Sequence, residues 1–300
     1  MKRKIIQQGK QAFTITLPIE WIRQHGLDKN SEIDIAAEGK NLVISSGKTI
    51  QGEKIKLDFN GLVNREMYVH VIAAYVRGVD EIRIVSDKDI SSNIYGILAV
   101  ISGFGMVEQS KNLYVLRDIN PGFYSSLEEI FKRVYQMILS LYDSSIRDIF
   151  GEQKETRESA FQKDMEINKF CFYLQRAVNK ISYSDKIEER VIFTYSHMLE
   201  QIGDEIRRMM YVNIDNEIKK GKNVKELVLK SKEVLDKSFF LFFNYNKKTP
   251  GKIYVLRNEV REIFRKIQNS DIHTIDFCRH AVHISELVAH LNELAILKNL

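Results

Sequence analysis

The sequence predicts a multi-domain α+β protein with a small β-rich segment, a short α/β module and a long helical body. Three observations support this. Apolar residues alternate at strand period from Ala12 to Leu17. Strand and helix patterns of 5 to 18 residues then follow one another over 59–118. From 122 onward every long segment has helical periodicity, and the whole chain contains only three prolines to interrupt helices.

The first 46 residues are expected to form four short strands and one helix. Gly9-Lys10 is a turn signal between the first two strands, and Gly26 is placed to end a helix that Pro18 begins. Glu38-Gly39-Lys40 is a hairpin signal. The expected elements are strands at 4–7, 12–17, 32–37 and 41–45 and a helix at 19–25.

This segment is too small to bury its own apolar residues, since units below about 50 residues enclose little apolar surface. Side chains such as Phe13, Ile15, Ile35 and Leu42 need a second surface to cover them. An identical copy is the simplest source of that surface. We therefore predict a homodimer formed through residues 1–46.

The run G-K-x-x-x-T-I-T-L-P-x-E-W-I-R-x-x-G-L, from Gly9 to Leu27, resembles the SpoVT/AbrB swapped-hairpin domain. The resemblance implies that two chains interleave their hairpins into one β-barrel. It also implies that the barrel binds duplex DNA.

Basic side chains of this segment are the candidates for DNA contacts. Cationic groups on phosphates give an affinity that depends on salt, and hydroxyl or amide groups add hydrogen bonds to phosphates or bases. The alternative is a solvated face on a module that only dimerises. The candidate DNA-binding residues are Arg3, Lys4, Lys10, Gln11, Thr14 and Arg23.

A polar stretch from Ser45 to Asp58 is the first expected domain boundary, and Asn120-Pro121-Gly122 is the second. Between them, a small α/β linker module is expected at 59–118. Its pattern predicts a helix at 60–77 that Gly78 ends, a strand at 81–85, a helix at 90–101 and a terminal hairpin.

The third domain, 122–300, is predicted to be an all-α bundle of six antiparallel helices in two groups of three. Three stretches, EINKFCFYLQRAV, HMLEQIGDEIRR and FCRHAVHISELVAHLNELA, resemble the PhoU family, which is built from two three-helix repeats. Together with the N-terminal motif and VIAAYVRGVDEIRI, the whole chain is similar to archaeal phosphate-uptake regulators. The resemblance implies a role in phosphate homeostasis, with a phosphate transporter component or a sensor kinase as a partner.

Carboxylates of the first helical group could hold a divalent or iron ion. Glu200 and Asp204 are four residues apart and share a helix face, and Asp164 and Glu166 lie on the preceding helix. The PhoU resemblance implies that such pairs bind metal. The alternative is that Glu200 pairs with a nearby base, Arg207 or Arg208.

A second candidate metal site lies on the last helix. His280, His283 and His290 fall within about 80° of one another around that helix, with Glu286 beside them. Imidazole with carboxylate suits zinc, nickel or iron. The alternative is a polar flank beside the apolar face of the helix.

Composition sets broad limits on function. A net charge of +5 permits an anionic partner without requiring one, and two cysteines indicate a reducing compartment, so we expect a cytoplasmic protein. No apolar run is long enough for a membrane span or a signal peptide. Phosphate-binding loops, nucleophile elbows and H-E-x-x-H are missing from the sequence, so we expect no enzyme activity.

Three functions fit these observations. The leading one is a dimeric, DNA-binding regulator of phosphate uptake. The alternatives are an adaptor that dimerises and binds a transporter or kinase without DNA, and a metal-binding helical protein.

Overall fold

The computed structural model describes residues 3–9, 12–38, 41–45, 53–119, 127–180, 186–267 and 269–300. The chain divides into two compact units, 1–53 and 54–300. The expected module at 59–118 and the expected helical domain from 122 therefore belong to the same unit.

The first unit contains two antiparallel hairpins and one short helix. Strand β1 (Ile6–Gln8) pairs with β2 (Ala12–Thr14), helix α1 spans Ile19–Gln24, and β3 (Asp34–Glu38) pairs with β4 (Asn41–Ser45). Gly26 follows the helix at φ +59, a conformation that favours glycine. Pro18 has an extended backbone and precedes the helix, whereas we expected it inside the first turn.

The described residues of one chain do not close a barrel, because the two hairpins form separate two-stranded sheets. The intertwined barrel remains a prediction about two chains. The described residues do not include Gln11 or the expected turn residues Lys10, Gly39 and Lys40.

The second unit begins with a four-stranded sheet and two helices. Its elements are β5 (Lys54–Asp58), α2 (Asn64–Arg77), β6 (Glu81–Val85), α3 (Ser91–Leu98), β7 (Phe104–Ser110) and β8 (Leu113–Asp118). The strand order is β5-β6-β8-β7, with β5 parallel to β6 and the other pairs antiparallel. Val71, Tyr75, Ile82 and Ile84 are fully buried between the helices and the sheet.

Six long helices complete the unit, as the periodicity predicts: α4 (Leu127–Phe150), α5 (Arg157–Lys180), α6 (Lys186–Asp215), α7 (Lys222–Phe243), α8 (Thr249–Arg265) and α9 (Ile272–Lys298). Helices α4 to α6 pack on one another, and so do α7 to α9. The two groups meet mainly where α6 lies along α9, and α2 packs on α5. None of the helices in the described part of the chain is both long and apolar enough to cross a bilayer.

An aromatic cluster lies between α4, α6 and the end of α7. The ring centroids of Tyr195 and Phe242 lie 4.5 Å apart in a tilted arrangement, and the Tyr195 hydroxyl hydrogen-bonds with that of Tyr135. The aromatic end of α7 is thus mostly core, although Phe240 stays exposed. This packing joins the two helical groups through α4, α6 and α7.

Candidate functional site

The first candidate site is the surface of the N-terminal unit. Arg3, Lys4 and Arg23 are exposed there. Thr14 also lies at the surface, and its hydroxyl donates a 3.4 Å hydrogen bond to the Ile6 carbonyl within the hairpin. Lys10 and Gln11 lie outside the described residues, so the structure gives positions for four of the six candidate DNA-binding residues.

Large apolar side chains share this surface. Phe13 is 67% exposed, Ile35 is 60% exposed and Leu42 is 70% exposed. Ile6 and Ile15 are also more than half exposed. Ile35 and Leu42 lie on one face of the β3–β4 hairpin, and exposed apolar side chains that share a face are typical of an interaction surface.

The second candidate site is a cavity of about 910 Å³ bounded by α2, α3, α5 and α6, which we call the interhelical cavity. Its walls are formed by apolar side chains, and its polar groups come from all four helices, with Asn93 contributed by α3. Its polar lining includes Arg65, Tyr68, Asp164, Asn168, Gln175, His197, Glu200, Asp204, Arg207 and Arg208. The cavity therefore contains three of the four carboxylates that the sequence offered as metal ligands near α5 and α6.

Glycine at position 203 allows α6 to approach α5 beside Asp164. A Cβ atom on Gly203 would lie 3.2 Å from Cγ2 of Ile167 and 3.5 Å from Oδ1 of Asp164. The first distance is tighter than ordinary van der Waals contact. This close approach buries Asp164, of which only 2% is exposed.

Two of the three carboxylates of the cavity pair with arginines. Asp164 Oδ2 accepts a 2.8 Å hydrogen bond from Arg207 Nε, and Asp204 Oδ1 accepts one of 3.0 Å from Arg207 Nη2. Arg208 Nη2 donates to Asp204 Oδ2 at 2.8 Å. Arg207 and Arg208, which we considered as partners for Glu200, therefore pair with Asp164 and Asp204 instead.

Two carboxyl groups of the cavity, those of Glu200 and Asp164, are hard to ionise. Burial, followed by the charges of Asp204 and Asp164, raises the pKa of Glu200 to about 7. Burial also raises the pKa of Asp164 to about 6, although Arg207 opposes the shift. Glu200 and Asp164 therefore bind their protons more tightly than exposed carboxyl groups do.

Glu166, the fourth candidate ligand of this group, is not part of the cavity. Its carboxylate is exposed and lies 3.7 Å from Lys169 Nζ on the same helix. The sequence spacing placed Asp164 and Glu166 together, but residues two apart on a helix point in different directions.

The histidines of α9 separate into two environments. His280 Nδ1 lies 2.7 Å and His283 Nδ1 3.3 Å from Glu205 Oε2 on α6. His290 instead lies beside Glu293, at 3.7 Å. Glu286 forms a two-pronged ion pair with Arg261 of α8 at 2.6 and 2.7 Å.

Glu205 is the residue around which this cluster is organised, and the sequence reasoning missed it. Burial alone would raise its pKa, but hydrogen bonds from His280, Arg208 and His283 lower the pKa to about 2. Within the described ranges, no group of three or more His, Cys, Asp or Glu side chains is arranged to hold a metal ion. Among the candidate ligands, Asp164, His280 and Glu286 instead form ion pairs between helices.

Asn168 and Gln175 of the interhelical cavity were also missed. Asp164, Asn168 and Gln175 are spaced by four and seven residues, which places them on one face of α5, so the position of Asp164 was a usable sequence signal for the other two. Arg65 and Tyr68 come from α2, about 100 positions earlier in the chain. No local pattern connects them to α5 and α6.

Comparison with known proteins adds a structural likeness. No family model matches the chain, and no curated protein sequence matches it significantly. A solved structure, the phosphate transport system regulatory protein PhoU from Streptococcus pneumoniae, aligns with 58% of this chain and 93% of that chain, with 16% identity and a TM-score of 0.45.

Proposed function

We propose that this chain is a dimeric, DNA-binding regulator of phosphate uptake. Two copies of the N-terminal unit form one DNA-binding body, and the helical part senses or transmits the phosphate-supply signal. The observation that carries the proposal is the set of exposed apolar side chains in the first unit, with Phe13, Ile35 and Leu42 each at least 60% exposed.

Exposing these side chains to water is unfavourable. A buried large aliphatic or aromatic side chain contributes about 1.5–3 kcal/mol relative to an exposed one. The unpaired edges of two-stranded hairpins add hydrogen-bonding groups that also favour pairing with another strand. A second copy of the unit supplies both an apolar cover and complementary strand edges.

Dimerisation would also concentrate positive charge. Arg3, Lys4 and Arg23 are exposed in each chain, and a two-fold axis doubles them on one body. Several cations that contact phosphates release counterions and give salt-dependent binding to DNA. The resemblance of the Gly9–Leu27 motif to SpoVT/AbrB domains supports duplex DNA as the ligand.

The link to phosphate rests on the PhoU-like sequence stretches. In the structure these stretches lie on α5, α6 and α9, the helices that form the centre of the helical body. A regulator needs a part that changes with the signal, and these helices carry the clustered carboxylates and histidines.

DNA binding can be tested by fluorescence anisotropy with a labelled mixed-sequence duplex. The Arg3→Ala/Lys4→Ala/Arg23→Ala variant of the full chain should bind about tenfold or more weakly between about 50 and 200 mM salt, with a shallower salt dependence. The matched control removes three exposed lysines of the second unit, Lys247, Lys248 and Lys252. Unchanged affinity and slope in the N-terminal variant would rule out the assigned DNA surface.

The adaptor function is supported by the same exposed apolar residues, since these require a second copy but not DNA. The two functions differ in what the full chain captures from a lysate of its own cells. An adaptor retains a transporter component or sensor kinase after nuclease treatment, whereas a DNA-binding regulator loses its associated material.

The metal-binding function is tested separately by elemental analysis. The ion pairs around Asp164 and Glu205 occupy the groups that would serve as ligands. Stoichiometric iron, zinc, nickel or manganese in purified protein would favour the metal-binding alternative.

A further inference from the structure

The turn between α7 and α8, with the helix ends that flank it, carries a surplus of positive charge. Residues 237–258, which we call the α7–α8 tip, contain five lysine or arginine side chains and no aspartate or glutamate. This surplus equals the net charge of +5 of the whole chain. Charge of one sign that is concentrated on one surface attracts a partner of the opposite sign.

Three of the five cations have no partner in the chain. Lys237 Nζ lies 3.6 Å from Glu233 of α7, and Arg257 Nη1 lies 3.8 Å from Glu286 of α9. The other three are exposed and form no ion pair with any residue that the structure describes: Lys247, Lys248 and Lys252.

Carboxylates around the tip already have partners of their own. These pairs are Asp236 with Lys232, Glu259 with Lys230, Glu128 with Lys132 and Glu293 with His290, at 2.7 to 3.7 Å. The positive charge of the three lysines is therefore left for a partner outside the chain.

Exposed apolar side chains accompany these lysines. Phe240, on the last turn of α7, is 63% exposed, and Val255 of α8 is 58% exposed. Lys248 has a helical backbone directly before α8, so Lys248, Lys252 and Val255 follow one another at helix spacing on one face. Lysines beside exposed aromatic and aliphatic side chains are typical of segments that bind the interface of a lipid bilayer.

Nucleic acid suits the tip less well than a bilayer does. Phe242 is buried, and Phe239 and Phe243 are partly buried in the aromatic cluster, so Phe240 is the exposed phenylalanine of the tip. A single exposed ring does not form a stacking platform for successive bases. The phosphate backbone of a duplex would leave Phe240 and Val255 in water, whereas a bilayer offers anionic headgroups and hydrocarbon side by side.

We propose that the α7–α8 tip binds the surface of an anionic lipid bilayer. Lys247, Lys248 and Lys252 lie at the level of the negatively charged headgroups, and Phe240 enters the boundary between the headgroups and the acyl chains. The contact involves one leaflet only. The inference does not depend on the DNA-binding proposal, because every residue of the tip lies in the second unit.

Co-sedimentation of the full chain with lipid vesicles tests this inference. At about 100 mM salt we expect binding to phosphatidylcholine vesicles that contain about 30% phosphatidylserine, and binding about tenfold or more weaker to phosphatidylcholine alone. Raising the salt to about 500 mM should weaken binding to the anionic vesicles, because it screens the charges of the lysines.

Two variants localise the contact to the tip. Lys247→Ala/Lys248→Ala/Lys252→Ala should weaken binding to the anionic vesicles about tenfold or more, since each cation near such a surface contributes about fivefold. Phe240→Ser keeps every charge and removes the apolar contact, and it should weaken binding about fivefold or more. All four positions are exposed, so thermal unfolding of both variants should match the wild type.

The matched controls lie at the other end of α7, about 30 Å away. Lys219→Ala/Lys220→Ala/Lys222→Ala removes the same charge from a stretch in which lysines alternate with carboxylates, and Ile272→Ser removes an apolar residue that is 70% exposed. Both controls should bind the anionic vesicles as the wild type does.

A third control tests the N-terminal unit, whose basic side chains could also attract anionic lipid. The Arg3→Ala/Lys4→Ala/Arg23→Ala variant should keep its binding to the anionic vesicles. Loss of that binding would assign the contact to the first unit and overturn the inference.

Four other results would also overturn it. These are no binding to the anionic vesicles, equal binding to the neutral ones, unchanged binding in either tip variant, or an equal loss in the lysine control at the start of α7. If the tip lysine variant keeps vesicle binding but loses affinity for a duplex or for labelled polyglutamate, the tip binds another polyanion and the inference is wrong.

Discussion

Arg176 of α5 donates a 2.8 Å hydrogen bond to Oδ2 of Asp118 at the end of β8, although only 2% of the arginine side chain is exposed. Its other guanidinium nitrogen donates to the carbonyls of Tyr75 and Val79, each at 2.8 Å. The guanidinium also lies over the rings of Tyr75 and Phe104. One side chain thus connects the helical body to a helix end, a loop and a strand end of the α/β part.

Replacing this arginine should destabilise the second unit strongly. Arg176→Met keeps the apolar stem but removes the guanidinium from buried acceptors, and removing one partner of a buried pair costs about 3–5 kcal/mol. Urea unfolding measures the loss. Arg190→Met, at an exposed position of α6, is the control and should stay within about 0.5 kcal/mol of the wild type. A loss of about 1 kcal/mol or less for Arg176→Met would show that the connection contributes little.

Self-association should depend on the exposed apolar residues of the first unit. The full chain should have a light-scattering mass of about twice 35.0 kDa. The Phe13→Ser/Ile35→Ser variant should weaken the dimer by about tenfold or more, because it removes apolar surface from the expected interface. Phe240→Ser/Val255→Ser changes two exposed apolar residues of the second unit and should leave the mass unchanged. The same mass in all three proteins would exclude an interface at these N-terminal positions.

The stability of the protein should depend on pH through Glu200. Burial, followed by the charges of Asp204 and Asp164, raises the pKa of Glu200 from its usual 4.5 to about 7, so the folded state binds this proton more tightly than the unfolded chain. The ionised carboxylate is therefore fully destabilising above about pH 7, and the penalty shrinks as the pH falls from about 7 and is lost below 4.5. The charged or titratable groups around it are Arg65 and Tyr68 of α2, Asp164 of α5, and His197, Asp204, Arg207 and Arg208 of α6.

Glu200→Gln removes this penalty. The variant should be more stable than the wild type at pH 8, by on the order of 2 kcal/mol, and the difference should shrink at pH 5. Glu166→Gln, an exposed carboxylate on α5, should show little difference at either pH. A Glu200→Gln effect of equal size at both pH values would mean that the carboxylate is not strained in the folded chain.

Glu205 should stabilise the junction between α6 and α9. Glu205→Gln weakens its hydrogen bonds with His280, His283 and Arg208, and we expect a loss of about 1–3 kcal/mol near pH 7. Because the pKa of Glu205 is lowered to about 2, its contribution is present above its unfolded value and is lost as the pH falls toward 2.

The difference in free energy of unfolding between the wild type and Glu205→Gln, measured with urea, should therefore be smaller at about pH 3 than near pH 7. Glu286→Gln serves as the comparison, since it breaks the more exposed pair with Arg261 and should cost about 1 kcal/mol or less. Equal losses in the two variants would show that burial of Glu205 adds nothing to the junction.

Local patterns predicted most of the secondary structure. The strand Glu81–Val85 and the start of the last helix at Ile272 match the structure at those residues. Strand β5 (Lys54–Asp58) was missed and treated as a boundary, although Ile55 and Leu57 alternate. Three of its five residues are polar, and the strand is held by its pairing with β6, a contact that no short window of sequence contains.

The sequence indicated part of the interhelical cavity. Asp164, Glu200 and Asp204 were grouped from helix spacing, and the structure places all three on its walls. Their pairing with arginines was assigned to the wrong carboxylate, since Asp204 and not Glu200 receives Arg207 and Arg208. Residue spacing shows which side chains share a face of one helix, but not how that helix is rotated against its neighbour. This rotation decides which carboxylate meets which arginine.

Native mass spectrometry of the full chain mixed with a duplex oligonucleotide at low salt tests the central claim most directly. Our account predicts a complex with two chains for each duplex, which disappears in the Arg3→Ala/Lys4→Ala/Arg23→Ala variant. A folded chain that stays single, or a dimer that leaves the duplex unbound, would contradict it.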